Sequence, residues 1–279
     1  MSFFIFNDKI LPNGTSILGP DNRGLKYGDG LFETMKFESG ELIFEEEHFE
    51  RLWHGMETLG FEFPAYFTKD NLKQQVLALV TQNNIQNGAR IRLNIFRGDG
   101  GLIDTTSNKP EYIIQASPLR PGMGEWNKNG LILGVYDHVK KSCDILSNLK
   151  HNNYLPYVMA SLHAKRAQWN DAVVLNSLNR LADTSIANIF IIKDELIQTP
   201  RLSEGCVAGI MRKMLLRHLV AAKWQVAETE LTVQDILSAD EVFLTNSIQN
   251  IKWVQRLGDT IYDNELTKKI YNSFTPTIS

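Results

Sequence analysis

The chain has 279 residues, 43% of them hydrophobic and 22% charged, which is the usage of an ordinary globular protein and excludes wholesale disorder. A formal net charge of −3 gives no field to draw in nucleic acid or an anionic membrane, so any bound anion has to be captured locally. The two cysteines, Cys143 and Cys206, have neither CxxC spacing nor a nearby histidine cluster, so no disulfide framework and no metal site are expected, and a reducing cytoplasm is the expected location.

The N-terminal run MSFFIFNDKILPNG lacks a basic flank and is soon broken by Asp8 and Lys9, unlike a secretory signal. Short strands are predicted at Phe3 to Phe6, Phe32 to Phe37 and Leu42 to Phe44, with turns at Gly24, Gly28, Gly30 and Gly40 between them. A helix follows from about Glu45, with Phe49, Leu52, Trp53, Met56 and Leu59 at helical spacing and Gly60 where a C-cap belongs. A second helix is predicted over Asp70 to Gln82, then strands at Ala89 to Phe96 and Tyr112 to Ala116. Pro118, Pro121, Gly122 and Gly124 crowd together and read as a linker. Beyond it come a strand at Leu131 to Tyr136, a polar stretch with Lys150, and a helix at about Tyr154 to Trp169. Strands at Ala172 to Leu175 and Asn188 to Ile192, a helix at Ile210 to Lys223, a strand at Glu241 to Thr245 and a helix near Glu265 to Phe274 close the chain. No stretch approaches the roughly 20 apolar residues of a membrane span. The pattern argues for a protein of mixed α and β structure with a smaller N-terminal domain over 1–117, a linker at 118–125 and a larger C-terminal domain over 126–279 that carries Lys150.

Five features bear chemistry, each with a plainer reading beside it. Lys150, in SNLKHNNYLPYVMA, is either a desolvated lysine suited to Schiff-base chemistry or a solvated surface charge. In LSEGCVAGIMR, Gly205 and Gly209 precede a helix whose first N–H groups suit a phosphate, or they only shape the turn. TNSIQN, at Thr245 to Asn250, supplies phosphate donors or turn formers. Arg51, among Phe49, Leu52 and Trp53, clamps a phosphate or runs its stem over apolar surface to water. Asp183, in NRLADTSIANIFII, faces a ring nitrogen or caps a turn.

Taken in order, these segments resemble one family. YGDGLFETMKFESGELIFEEEHFERL, from Tyr27 to Leu52, is similar to the N-terminal signature of class IV aminotransferases. The stretch from Leu146 to Phe190 is similar to that family's cofactor region, and Thr199 to Arg212 and Ala239 to Val254 resemble its two phosphate-binding segments. The resemblance implies the two-domain α+β fold of fold-type IV pyridoxal-phosphate enzymes, with pyridoxal 5′-phosphate as cofactor, a small-molecule amino substrate and a homodimer. By it, Lys150 matches the Schiff-base lysine and general base, and Arg51 matches the arginine that binds the cofactor phosphate. Ile210 and Met211 match the positions whose backbone N–H groups meet that phosphate, and Ser247 matches a phosphate-binding hydroxyl. Asp183 stands where the family has a Glu that pairs with the pyridine nitrogen; it is a methylene shorter, so the ring has to sit closer or the loop has to shift.

The family contains branched-chain aminotransferases, D-amino-acid aminotransferases and 4-amino-4-deoxychorismate lyases. Asn153 three residues after the lysine, RGDGG at Arg97 to Gly101 and TNS at Thr245 to Ser247 lean towards the lyase, which eliminates pyruvate and leaves 4-aminobenzoate. Leu102 and Asp104 stand where the D-amino-acid enzymes carry an Arg and a His for the substrate carboxylate, and the first Arg is also a lyase feature. Tyr27 and Arg97 are the substrate-binding candidates, and Arg97, Arg90 or Arg92 is the substitute for the arginine missing at the Leu102 position. The alternatives are a branched-chain or D-amino-acid aminotransferase, a catalytically weakened homologue that still binds the cofactor, and a binding module in which Lys150 meets no cofactor.

Overall fold

A computed structural model describes residues 2–103 and 107–274; Asp104 lies outside them. The chain divides into two units, Met1–Pro121 with Leu149–Asn153, and Gly122–Asn148 with Tyr154–Ser279. Among the described residues, no helix is long and apolar enough to cross a membrane.

The first unit contains strands β1 (Phe3–Phe6), β2 (Lys9–Pro12), β3 (Gly30–Glu38), β4 (Glu41–Leu42), β5 (Ala89–Arg97) and β6 (Pro110–Pro118), with helices α1 (Arg23–Tyr27), α2 (Glu45–Thr58) and α3 (Lys69–Gln82). The strands form an antiparallel sheet in the order β2-β1-β6-β5-β3-β4. Side chains alternate along β5: Ala89, Ile91, Leu93 and Ile95 are buried in the core that α2 and α3 complete, and Arg90, Arg92 and Asn94 take the other face. Helix α2 presents Phe49, Leu52 and Met56 to that core, and Glu45, Glu46 and Glu47 in its first turn complement the helix dipole.

Lys150 was expected in the C-terminal domain; its segment instead packs in the first unit. The reason is local pairing with β3: Phe32 N–H donates to the Lys150 carbonyl at 2.9 Å and Asn152 N–H to the Gly30 carbonyl at 2.9 Å, with a bridge between Leu31 and His151. Gly30 makes the approach possible, since a Cβ there would lie 2.1 Å from the Ile95 carbonyl oxygen and 2.7 Å from Asn152 Nδ2.

The second unit contains β7 (Leu131–Lys141), α4 (Leu155–Arg166), β8 (Asp171–Asn176), β9 (Leu181–Thr184), β10 (Asn188–Lys193), β11 (Leu196–Pro200), α5 (Ile210–Ala221), β12 (Val226–Thr229), α6 (Val233–Leu237), β13 (Glu241–Asn246), β14 (Asn250–Leu257), β15 (Thr260–Ile261) and α7 (Glu265–Phe274). Its sheet runs β12-β11-β10-β13-β14-β7-β8-β9, with β15 paired to β14. β7 is parallel to both β8 and β14, and α4 crosses from β7 to β8 as such a connection requires. Among the described residues, one core of this unit lies around Val173, Ile189, Val242 and Val254, and another where Tyr157, Ala160 and Ala164 of α4 meet Ala172 and Val174 of β8.

Candidate active site

In the first unit, Glu33 of β3 is the centre of a buried charge cluster. It shares the strand face of Leu31 and Met35, which turns it towards α2, where His48 and Arg51 sit one turn apart. Arg51 Nε donates to Oε1 at 2.8 Å and Nη2 to Oε2 at 2.6 Å, while His48 Nδ1 lies 2.7 Å from Oε2. A carboxylate only accepts, so Nδ1 carries the imidazole proton, and Nε2 is left buried without a partner. Burial alone would raise the Glu33 carboxyl; the Arg51 guanidinium and His48 more than reverse this and hold it at about 2. Burial pushes His48 below its usual range, and the charges of Arg51 and Lys150 act in the same direction against the pull of Glu33.

Lys150 projects Nζ to 4.5 Å from the centre of the Phe32 ring, and Arg92 of β5 stacks its guanidinium 3.9 Å from the same centre. Arg92 Nε also donates to Asn94 Oδ1 at 3.2 Å. The β3–β5 register explains the convergence, because Phe32 pairs with Asn94 and Thr34 with Arg92 on the face turned away from the helices. The other arginines differ. Arg97 donates from Nη1 to Asp29, from Nη2 to the Leu59 carbonyl and from Nε to Asn108, and stacks over Phe61, so the candidate named first for the substrate is held inside the unit. Arg90 is exposed. Tyr27 ends α1, 39% exposed, with Arg23 5.9 Å from its ring centre. Leu102 is exposed.

In the second unit, Asp183 of β9 is caged. The Tyr157 hydroxyl donates to Oδ2 at 2.6 Å and the Val207 N–H to the same oxygen at 2.9 Å. Asn188 Nδ2 donates to Oδ1 at 2.8 Å, and Lys141 Nζ stands 3.8 Å from Oδ2. Burial pushes the carboxyl above its ordinary range, with Lys141 and the three donors opposing.

The same Asn188 ties Asp183 to the turn before α5, since its amide also donates to the Val207 carbonyl at 2.8 Å. Gly209 caps α5 without any side-chain hydrogen bond, and no acidic residue occupies the first turn. By contrast, Thr68 caps α3 and Thr232 caps α6. A Cβ on Gly209 would fall 1.9 Å from Asn188 Oδ1, so any larger residue has to displace the Asn188 amide. Ile210 and Met211, both buried, carry the first helical N–H groups. Thr245, at the end of β13, buries Oγ1 without a partner, and Ser247 lies in the turn between β13 and β14. An uncapped helix start with dipole, N–H groups and a waiting hydroxyl fits the chemistry of a phosphate, and the Asp183 carboxylate fits a protonated ring nitrogen.

Sequence reasoning named Lys150, Arg51, Asp183, Ile210, Met211 and Ser247 but passed over Glu33, His48, Lys141, Tyr157 and Asn188. An acid at an inward position within the strand LFETMKF was a usable signal for Glu33, with His48 and Arg51 three apart on the helix that follows. Lys141 had no such signal next to Lys140.

The family model for amino-transferase class IV matches residues 30–257. The chain is similar to an aminodeoxychorismate lyase of Vibrio harveyi, 32% identical over 82% of this chain and 83% of the relative. It is also similar to a putative branched-chain-amino-acid aminotransferase of Methanocaldococcus jannaschii, 29% identical over 96% of this chain and 93% of the relative. Among solved structures, a putative 4-amino-4-deoxychorismate lyase from Legionella pneumophila superposes with a TM-score of 0.85 at 28% identity, covering 95% of this chain and 96% of the other. With the two-unit α+β fold and these groups in place, the chain belongs to the class IV aminotransferase family and is an enzyme of it.

Proposed function

We propose that the protein is a pyridoxal-5′-phosphate-dependent 4-amino-4-deoxychorismate lyase. The observation that carries this is that Lys150 and Arg92 both lie against the Phe32 ring, so that one side chain holds the proposed reactive amine and a cation suited to a substrate carboxylate. The likeness to relatives named aminodeoxychorismate lyase favours elimination, and the likeness to one named for branched-chain transamination keeps amino transfer as the second reading. When bound, the cofactor links to the substrate amine and withdraws electrons from the carbon that bears it.

The residues supply the rest. Lys150 removes the proton from the amine-bearing carbon and returns a proton to the departing enolpyruvate. Arg92, in place of Arg97, holds a substrate carboxylate, and Tyr27 borders the substrate. Arg51, Ile210, Met211 and Ser247 bind the cofactor phosphate, with Thr245 beside Ser247. Asp183 keeps the ring nitrogen protonated. The protein acts as a homodimer: α4 leaves Leu155, Val158, Met159 and Leu162 exposed at i, i+3, i+4 and i+7, a stripe that a second copy would cover. Its free thiols suit a cytoplasmic location.

The test is absorbance with added pyridoxal 5′-phosphate, followed by product assay. The expected result is a visible band that Lys150→Ala lacks, then release of 4-aminobenzoate and pyruvate from aminodeoxychorismate. Conversion of amino acids to oxo acids without that release replaces the lyase with a transaminase, and a wild-type protein with no band defeats both.

A further inference from the structure

Lys141 ends β7, buried to 6% exposure, and no step above uses it. Its Nζ donates to the Ser147 carbonyl at 2.9 Å, lies 5.0 Å from the centre of the Tyr157 ring and stands 3.8 Å from Asp183 Oδ2. The three groups that hydrogen-bond Asp183, the Tyr157 hydroxyl, the Val207 N–H and the Asn188 amide, are neutral. Lys141 is the basic side chain of this cluster; burial pushes its amine below the ordinary lysine range and the facing Asp183 pulls it back up, and a buried carboxylate needs such a partner. The other titratable groups that reach the pair are Tyr157 on α4, Cys206 in the turn before α5, and Cys143 and Asp144 just after β7. Burial pushes Tyr157 far up and Cys206 up to about 12, so neither contributes a negative charge of its own near neutrality.

All three neutral neighbours donate to the carboxyl, an arrangement that favours its ionised form. Two of them fill Oδ2 and one binds Oδ1, which fixes the side chain and leaves one acceptor position on Oδ1 at two per oxygen. That position suits a ring N–H.

We propose that Lys141 is a positioning residue for Asp183: it keeps the shorter carboxylate charged and aimed, so that it holds a protonated ring nitrogen of pyridoxal 5′-phosphate. The proposal rests on the reading that the chain binds this cofactor. Lys141 makes up in charge and rigidity for what Asp183 lacks in reach.

Two measurements test it. Carboxyl-labelled aspartate in the cofactor-free protein, titrated by carbon NMR and assigned with Asp183→Asn, is expected to show Asp183 ionised at neutral pH; a protonated Asp183 overturns the proposal whether or not any variant folds. Pyridoxal 5′-phosphate is then titrated into wild type, Lys141→Met and Lys141→Arg between about pH 6 and 9. Lys141→Met is expected to weaken binding at least roughly tenfold relative to wild type, increasingly as pH falls, because Asp183 then takes up a proton. Lys141→Arg is expected to restore most of it, and Lys141→Met is expected to cost nothing more in an Asp183→Asn background. A purely structural pair would lower the melting temperature alike but leave affinity and its pH profile at the wild-type values, and that result overturns the proposal. A wild-type protein that takes up no cofactor would instead defeat the reading of the whole site, while the carboxyl titration still decides whether Lys141 holds Asp183 charged.

Discussion

Replacing Glu33 with Gln isolates the charge cluster of the first unit. The native carboxyl is held at about 2 against an ordinary 4.5, by Arg51 and His48 against a burial penalty. A difference of about 2.5 units at about 1.4 kcal/mol per unit gives about 3.4 kcal/mol of stability at pH 7. A depressed carboxyl pKa stabilises above the unfolded value and loses that stability as pH falls through the folded one, so the window runs from about pH 5 down to about pH 2. By the same relation about 1.4 kcal/mol remains at pH 3. Glu33→Gln also leaves Arg51 and His48 around a neutral amide, which puts the total loss at pH 7 near the 3–5 kcal/mol of roughly any broken buried pair. The assay is denaturant unfolding of both proteins at several pH values and constant salt. The gap between them should narrow by about 2 kcal/mol between pH 7 and pH 3. A gap that stays constant over that range refutes the reasoning, because it would mean that Glu33 carries no depressed pKa in the folded chain.

Arg92→Leu should raise KM for an acidic substrate roughly ten- to hundredfold, the loss of about 1.5–3 kcal/mol from a charged hydrogen bond, with cofactor affinity unchanged in a binding titration. Arg97→Leu should instead lower the melting temperature, since it breaks hydrogen bonds to Asp29, the Leu59 carbonyl and Asn108 within the first unit. Gly209→Ala should weaken cofactor binding and cost about 1–3 kcal/mol in thermal unfolding, because the new methyl displaces Asn188 from Asp183 and Val207. Gly30→Ala should speed hydrogen exchange at the Asn152 amide, whose acceptor is the Gly30 carbonyl, without altering exchange in α5.

The elements legible in the sequence were those whose burial follows one period. Glu265–Phe274 and Phe3–Phe6 fall where their apolar spacing put them, and α2, α3 and β5 differ at their ends by a residue or two. The elements missed break the period. β9 is LADT, buried at every position, because its Asp and Thr are satisfied by neighbours rather than by water. β14 starts inside TNSIQN, a run whose polar residues read as loop, and its Lys252 is buried with its amine donating to the Glu125 carbonyl. β7 was expected to end at Tyr136 but continues to Lys141, again through residues that look solvated.

The candidate site was legible by resemblance in the groups proposed to meet the cofactor and illegible in their neighbours, and the physical reason is the same. Lys150, Arg51 and Asp183 announce themselves through motifs, whereas what makes them useful is non-local. Glu33 lies 18 residues from Arg51, Asn188 joins Asp183 to a turn 19 residues on, and Lys141 reaches Asp183 from the end of a different strand. A polar residue on a strand looks the same in sequence whether it faces water or a buried partner, and only the fold distinguishes the two. That distinction matters most at position 183. Read alone, an Asp in place of a Glu suggests a weakened electron sink. Read with Lys141, Tyr157 and Asn188, it is a carboxyl group held in place by the chain's own donors beside a buried cation, so the shorter side chain by itself is no argument for lost catalysis.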